Sequence, residues 1–325
     1  MVPFTIFPLT LISEKGQDIN NNYIHRQNAK IWLRYGILLL SDRKGEESFR
    51  KVLKKINSVD AQKVWAEAYR QAKLHKRIVF LNEPHQWESI EDIIADSDLQ
   101  DILRLVCCHE DNVKNFCNEV DTSKIGICTF EDLNFSKLFT ESIDNPQLQF
   151  NKDEKRDEIW ERHFKFFARY SKDIIIIDRF LIKEVCEDNL SSLDYFLEKL
   201  SNENNVGNIS EKKITILSQQ RRKINPSKDL DKIKKICNSH NFTSGEIISC
   251  SDKFFKIFAH DRFVVFDDDV CQIGRGLSIF SSDTLHENSV FSWKRDSRRD
   301  YMTVIKQLRR DPQKQIRKLK TNNFQ

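Results

Sequence analysis

The chain has 325 residues, of which 39% are hydrophobic and 31% charged, and its net charge is +4. That is the composition of a soluble globular protein on the polar side, long enough for two domains or one large one. No apolar run approaches the ~20 residues of a membrane span, so no transmembrane segment is expected. Met1 to Leu11 is apolar but lacks a basic leader and a small-residue cleavage site, which argues against a signal peptide. The eight cysteines are scattered and include no C-x-x-C, as in reduced thiols of a cytoplasmic protein. There is no H-E-x-x-H, no zinc-type spacing and no P-loop, so no cofactor or metal is implied.

In chain order, the pattern alternates strand and helix. Ala29 to Arg34 reads as helical, Tyr35 to Leu40 as an apolar strand ending at Asp42, and Phe49 to Ile56 and Ala61 to Leu74 as helices. Arg77 to Leu81 reads as a strand ending at Asn82-Glu83, Ile90 to Leu105 as a helix and Ile125 to Thr129 as a strand. Residues 1–145 are therefore read as an N-terminal α/β domain. Asp42 and Glu83, acidic residues at strand ends, also fit a metal-dependent nuclease of PIN type. Acidic strand ends are common in any α/β domain, however, and a sensing or substrate-presenting role is the expectation.

Thr140 to Asp157 is polar, charged and proline-containing, as a linker is. After it, Ile159 to Tyr170 is an amphipathic helix with Trp160, Phe164 and Phe167 on one stripe. Asp173 to Asp178 is an apolar strand with the character of one buried on both faces. A helix over Leu190 to Leu200, a strand over Lys213 to Leu217 and a helix over Leu230 to Ser239 follow. Phe254 to Ala259 and Arg262 to Phe266 read as further strands, Asp267 to Asp269 as a turn, and Val270 to Ile273 as a returning strand. This order gives a mixed α/β layer structure. Asp178 and Arg179 end the first strand, where they can face the same cleft as His260, but a helix-capping role for Asp178 is at least as well founded, and both stay outside the expected site.

The densest chemistry lies at His260 to Leu277, with the pattern H-x-R-x4-D-x6-G formed by His260, Arg262, Asp267 and Gly274. Side chains alternate along a strand, so His260 and Arg262 share a face. A histidine can attack phosphorus and carry the phosphoryl group. An arginine binds phosphate oxygens bidentately. A carboxylate can hold an imidazole in its working tautomer. Two of the chain's eight glycines flank Arg275 here, in a turn that lets backbone approach a ligand.

These residues resemble the phospholipase D superfamily, whose signature is H-x-K-x4-D-x6-G-S-x-N. His260, Asp267 and Gly274 match in place; Arg262 stands at the lysine position, Arg275 at the serine and Leu277 at the asparagine. The H-D-R…G-R-G-L form is most similar to a divergent single-motif branch. That branch includes the C-terminal domain of MIT-domain proteins and bacterial relatives, some associated with phage defence. The resemblance spans roughly residues 160–291. It implies an α/β phospholipase D-like half-domain over 155–292 and a metal-independent phosphodiesterase, above all a nuclease. In it His260, Arg262 and Asp267 would be catalytic, and Gly274, Arg275 and Gly276 would bind phosphate. The alternative is a module that holds a phosphate of nucleic acid or of a phospholipid headgroup without cleaving it.

The family chemistry needs a second histidine to protonate the leaving group. His163-Phe-Lys165 looks like a second H-x-K, but Tyr170 stands where its aspartate belongs. A homodimer with two motifs face to face is therefore expected, with apolar neighbours such as Phe263 or Leu277 at the interface. From Trp293 to Gln325 the chain carries eleven Lys or Arg against three Asp. Residues 293–325 are read as a basic helix around Tyr301 to Arg310 and a basic extension after Pro312, suited to nucleic acid.

Overall fold

The computed structural model describes residues 4–5, 22–40, 43–74, 77–81, 87, 89–109, 125–137, 139, 147–187, 191–203, 212–221, 226–242, 244–259, 261–295 and 300–319. The protein is α/β, and it divides into two units, Met1–Asp144 and Asn145–Asn205 with Ile209–Gln325.

In the first unit, β2 (Leu38–Leu40) pairs in parallel with β3 (Ile78–Phe80). β1 (Phe4–Thr5), β4 (Leu105–Cys108) and β5 (Gly126–Thr129) form a second parallel group in that spatial order. The three leucines of β2 and all of β4 are buried, as parallel strands covered on both faces must be. Helices Asn22–Tyr35 and Val59–Leu74 bury Trp32 and Trp65 against this core, with ring centroids 6.1 Å apart. Burial does not orphan the indoles: Trp32 Nε1 donates to the Ile37 carbonyl at 3.2 Å and Trp65 Nε1 to His25 Nδ1 at 3.1 Å. The span read as one helix from Ile90 to Leu105 is two, Ile90–Ala95 and Ser97–Ile102, followed by β4. Asp96 breaks it: its backbone is extended, and its Oδ1 accepts the Leu99 N–H at 3.2 Å, starting the next helix. Asp42 and Glu83 lie outside the described residues.

The second unit is built on an eight-stranded mixed sheet. Its strands are β6 (Gln147–Phe150), β7 (Asp173–Ile177), β8 (Lys213–Gln219), β9 (Ser244–Cys250), β10 (Phe263–Phe266), β11 (Asp269–Ile273), β12 (Ser289–Arg295) and β13 (Gln315–Leu319). Their spatial order is β13-β9-β8-β7-β10-β11-β12-β6. β7, β8 and β9 are parallel, and every other neighbouring pair is antiparallel. Helices Leu181–Cys186 and Ser192–Asn202 cross from β7 to β8, and Pro226–Ser239 crosses from β8 to β9. Isoleucines dominate β7 because it lies mid-sheet: Ile174, Ile176 and Ile177 are fully buried.

An aromatic cluster of Trp160, Phe164, Phe196, Phe266, Phe280 and Phe291 packs ring to ring. It hangs on one helical segment, Arg156–Ile159, a π-helical turn Trp160–Phe164, and Lys165–Tyr170. A second core cluster joins Ile177, Leu217, Ile248 and Val265 to Phe255, Tyr301, Ile305 and Leu308.

Three expectations are corrected here. Phe254 to Ala259 is not a strand but part of helix Asp252–Phe258, with Phe254 and Phe258 in ring contact one turn apart at 5.6 Å. The strand at that place in the order is β9, just upstream. The stretch read as a linker contains β6, whose Phe150 is buried and stacks on Phe291 at 5.0 Å. Within residues 293–325 the expected helix is Asp300–Leu308, but it fills the second core cluster, and the described residues on either side are strands rather than a tail: Ser289–Arg295 is β12 and Gln315–Leu319 is the edge strand beside β9. Buried Asp311 holds that return in place, accepting the N–H groups of Ser251 at 2.5 Å and Gln313 at 2.9 Å. Among the described residues no helix is long and apolar enough to cross a membrane.

Candidate functional site

In open α/β sheets, functional groups gather beyond the carboxyl ends of the parallel strands. Three segments meet at that end of β7. Asp178, Arg179 and Phe180 follow β7 directly. Arg262 precedes β10, whose Phe263 pairs with Ile177 at the end of β7. The turn Gly274-Arg275-Gly276 follows β11, whose Gln272 pairs with Phe263. Antiparallel pairing thus returns the motif to the end where β7 stops.

Asp178 is the hub. It is 1% exposed. Its Oδ2 accepts the Leu277 N–H and its Oδ1 the Phe180 N–H, both at 3.0 Å. Oδ1 also lies 3.7 Å from Arg262 Nε. Burial pushes its carboxyl above the ordinary range, opposed by the Arg262 charge and by the N–H groups of Leu277, Phe180 and Leu181. The Arg262 guanidinium donates to the Gly274 carbonyl at 2.9 Å and lies over the Phe180 ring, its Cζ 4.9 Å from the centroid. It is therefore fixed by the turn, a carboxylate and an aromatic face.

Gly276 makes this possible. Its φ is +64°, and a Cβ there would fall 1.9 Å from Asp178 Oδ2 and 2.6 Å from Arg262 Cδ. Arg275 donates its backbone N–H to Ser289 Oγ at 3.3 Å and pairs its head with Glu287. Arg179 donates to Gln219 Oε1 at 2.7 Å and Asp252 Oδ1 at 2.5 Å, with its Cζ 5.2 Å from the same Phe180 ring.

Of the expected site residues, Arg262, Gly274, Arg275 and Gly276 come together. His260 lies outside the described residues. Asp267 does not join them. It sits at the far end of the four-residue strand β10, roughly 16 Å along the chain at ~3.3 Å per residue. There, with φ +53°, it closes the β10–β11 turn and accepts the N–H of Asp173 at 2.9 Å and of Lys172 at 3.2 Å. Five positions of strand carry a side chain out of a cleft, so Asp267 cannot orient a group beside Arg262.

Gly274 also has a different part from the one expected. Its N–H donates to the Val290 carbonyl at 2.8 Å, and its own carbonyl receives Arg262, so it fixes the cation rather than meeting phosphate.

His163 is no second motif. It packs between Phe150 and Phe291, with centroids at 5.1 and 5.5 Å, and burial lowers its imidazole to about 4. Leu277 is fully buried, so it is no surface contact for a partner copy, while Phe263 is partly buried against the second core cluster. Sequence pattern does not single out Phe180, and it leaves Asp178 and Arg179 outside the expected site. The available signal was polar residues placed immediately after a wholly apolar strand. Among the described residues, no group of three or more His, Cys, Asp or Glu is arranged to hold a metal ion. No family model matches the chain, and no curated protein matches it.

Proposed function

We propose that the second unit is a phospholipase D-like phosphodiesterase acting on nucleic acid. The observation that carries this reading is Arg262, a guanidinium fixed at the carboxyl edge of the sheet by Asp178, the Gly274 carbonyl and the Phe180 ring. His260 precedes it by two residues in the chain. In this mechanism a His260 ring nitrogen attacks phosphorus, and the bond to the leaving oxygen breaks. Arg262 stabilises the charge on the nonbridging oxygens, and because it is held in advance, little reorganisation is needed in the transition state. A histidine from a second copy gives its proton to the leaving oxygen, then takes one from the water that hydrolyses the phosphohistidine. Asp178 positions Arg262, the part the sequence pattern had given to Asp267 for the imidazole.

A second reading, phosphate binding without cleavage, is favoured by one observation. Arg275 and Leu277 stand where the family pattern has its serine and asparagine, which leaves cations to hold a phosphate but not those two polar side chains. The test is hydrolysis of a small activated diester, bis(4-nitrophenyl) phosphate, in EDTA. Catalysis requires turnover by wild type and its loss in His260→Ala; binding alone requires none in either.

A further inference from the structure

The edge that carries Arg262 holds two more arginines, one to each side. Phe180 sits between Arg179 and Arg262, with their Cζ atoms 5.2 and 4.9 Å from its ring centroid. On the other side, Arg262 donates to the Gly274 carbonyl, and Arg275 is the next residue. From this row we infer that the site takes a single-stranded nucleic acid lying across the strand ends. Arg262 holds the central phosphate, Arg179 and Arg275 hold its neighbours, and the Phe180 ring fixes the two recessed guanidinium planes. The inference rests on the phosphodiester reading of Arg262.

Three features support a single strand. The first is that the three cations lie in one line across neighbouring strands, which stand ~4.8 Å apart, and a single line of charge matches one phosphodiester backbone rather than the two of a duplex. The second is depth. The side chains of Arg179 and Arg262 are 19% and 22% exposed, against 40% for Arg275. A rigid duplex can reach the outer arginine but not the recessed pair, whereas a flexible strand can enter. The third is chemistry. The Arg179 and Arg262 guanidinium planes, held by the Phe180 ring, are surfaces of the kind on which unpaired bases stack. Each guanidinium has five N–H donors, more than its named partners use. Asp252 is shared between Arg179 and Lys256, so it does not cancel both charges. Glu287 is 69% exposed, and a phosphate can displace so exposed a partner from Arg275 at little cost.

The test uses full-length His260→Ala protein and fluorescent DNA and RNA 12-mers, the matching duplexes, and phosphatidylserine vesicles. Single strands should bind at least tenfold tighter than duplex. Arg275→Ala should weaken binding roughly 5- to 10-fold and lower the salt slope by about 0.7. Phe180→Leu should weaken it by roughly tenfold, because both recessed guanidinium groups lose the ring that holds them. Glu287→Gln should strengthen it. Duplex bound as well as single strand, capture by vesicles alone, or unchanged affinity in both Arg275→Ala and Glu287→Gln would overturn the inference. Hydrolysis of the small diester by wild type separates the two readings. Turnover without strand binding removes the track and leaves the site; strand binding without turnover keeps the track and removes the catalytic step.

Discussion

The carboxylate of Asp178 reaches to 3.7 Å from Arg262 Nε across the β7–β10 pairing, while Asp267, within the motif itself, lies at the opposite end of β10. The pair joins two segments distant in sequence, and the Gly274–Gly276 turn closes over it. The N–H of Leu277, just past that turn, bonds the same carboxylate. Asp178, Arg262 and Gly276 therefore act as one unit, and each should fail in its own way when changed.

Gly276→Ala should be among the most damaging single changes in this unit. It combines a left-handed backbone with a Cβ at 1.9 Å from Asp178 Oδ2. The expected loss is about 2–4 kcal/mol in urea denaturation. Gly274→Ala, whose Cβ would stand 3.3 Å from the Val290 nitrogen, should cost well under half of that. Equal costs would mean that the turn does not close on Asp178.

Asp178→Ala should cost about 3–5 kcal/mol, because it leaves the Arg262 charge and a buried N–H without their partner. Asp267→Ala acts elsewhere. It removes the acceptor for the Lys172 and Asp173 N–H groups and a left-handed residue of the favoured type. Stability should fall by about 1–3 kcal/mol, with diester turnover per folded molecule retained. Turnover lost in Asp267→Ala at full stability would restore it to the site.

Stability should fall on mild acidification, and His163 sets the window. Its folded value is lowered to about 4 from 6.5, so between those values the unfolded chain binds a proton that the folded chain refuses. The His163 contribution is whole above pH 6.5 and declines toward pH 4, by at most about 3 kcal/mol. His163→Phe keeps an aromatic ring beside Phe150 and Phe291 without a titrating group. Denaturant midpoints at pH 7 and 4.5 should draw closer in that variant, and an unchanged gap would put the acid sensitivity elsewhere.

Much of the fold was legible because its strong signals are local. The isoleucines of β7 and the stripe of Trp160, Phe164 and Phe167 state their burial by pattern. The errors fell where pairing decides. Gln147–Phe150 alternates polar and apolar like any half-exposed strand, but only β12 makes it one. Gln315–Leu319 buries little beyond Leu319 and is held by the β9 ladder. Phe254 to Phe258 is too short an apolar run for its period to separate helix from strand. At the site, the spacing of the motif located Arg262 and the glycine turn. It misassigned Asp267 because five residues of strand look close in sequence and are far apart in space. Asp178 gave only the signal of a carboxylate after a buried strand.

The proposed mechanism needs two histidines, and the one other H-x-K is packed away in an aromatic core, so the proposal calls for a dimer. Sedimentation should show a dimer at assay concentration. Mixing wild type with excess His260→Ala subunits should depress turnover more than dilution does. Full activity from a monomer would require the proton donor to come from the same chain.

The most direct measurement is capture of the covalent intermediate. Wild-type protein is mixed with a phosphate-labelled diester in EDTA, quenched in base, where phosphohistidine survives, and mapped by mass spectrometry. The label should fall on His260, be absent in His260→Ala and be much reduced in Asp178→Asn. Turnover that continues in His260→Ala, or label on any other residue, would contradict the proposed mechanism.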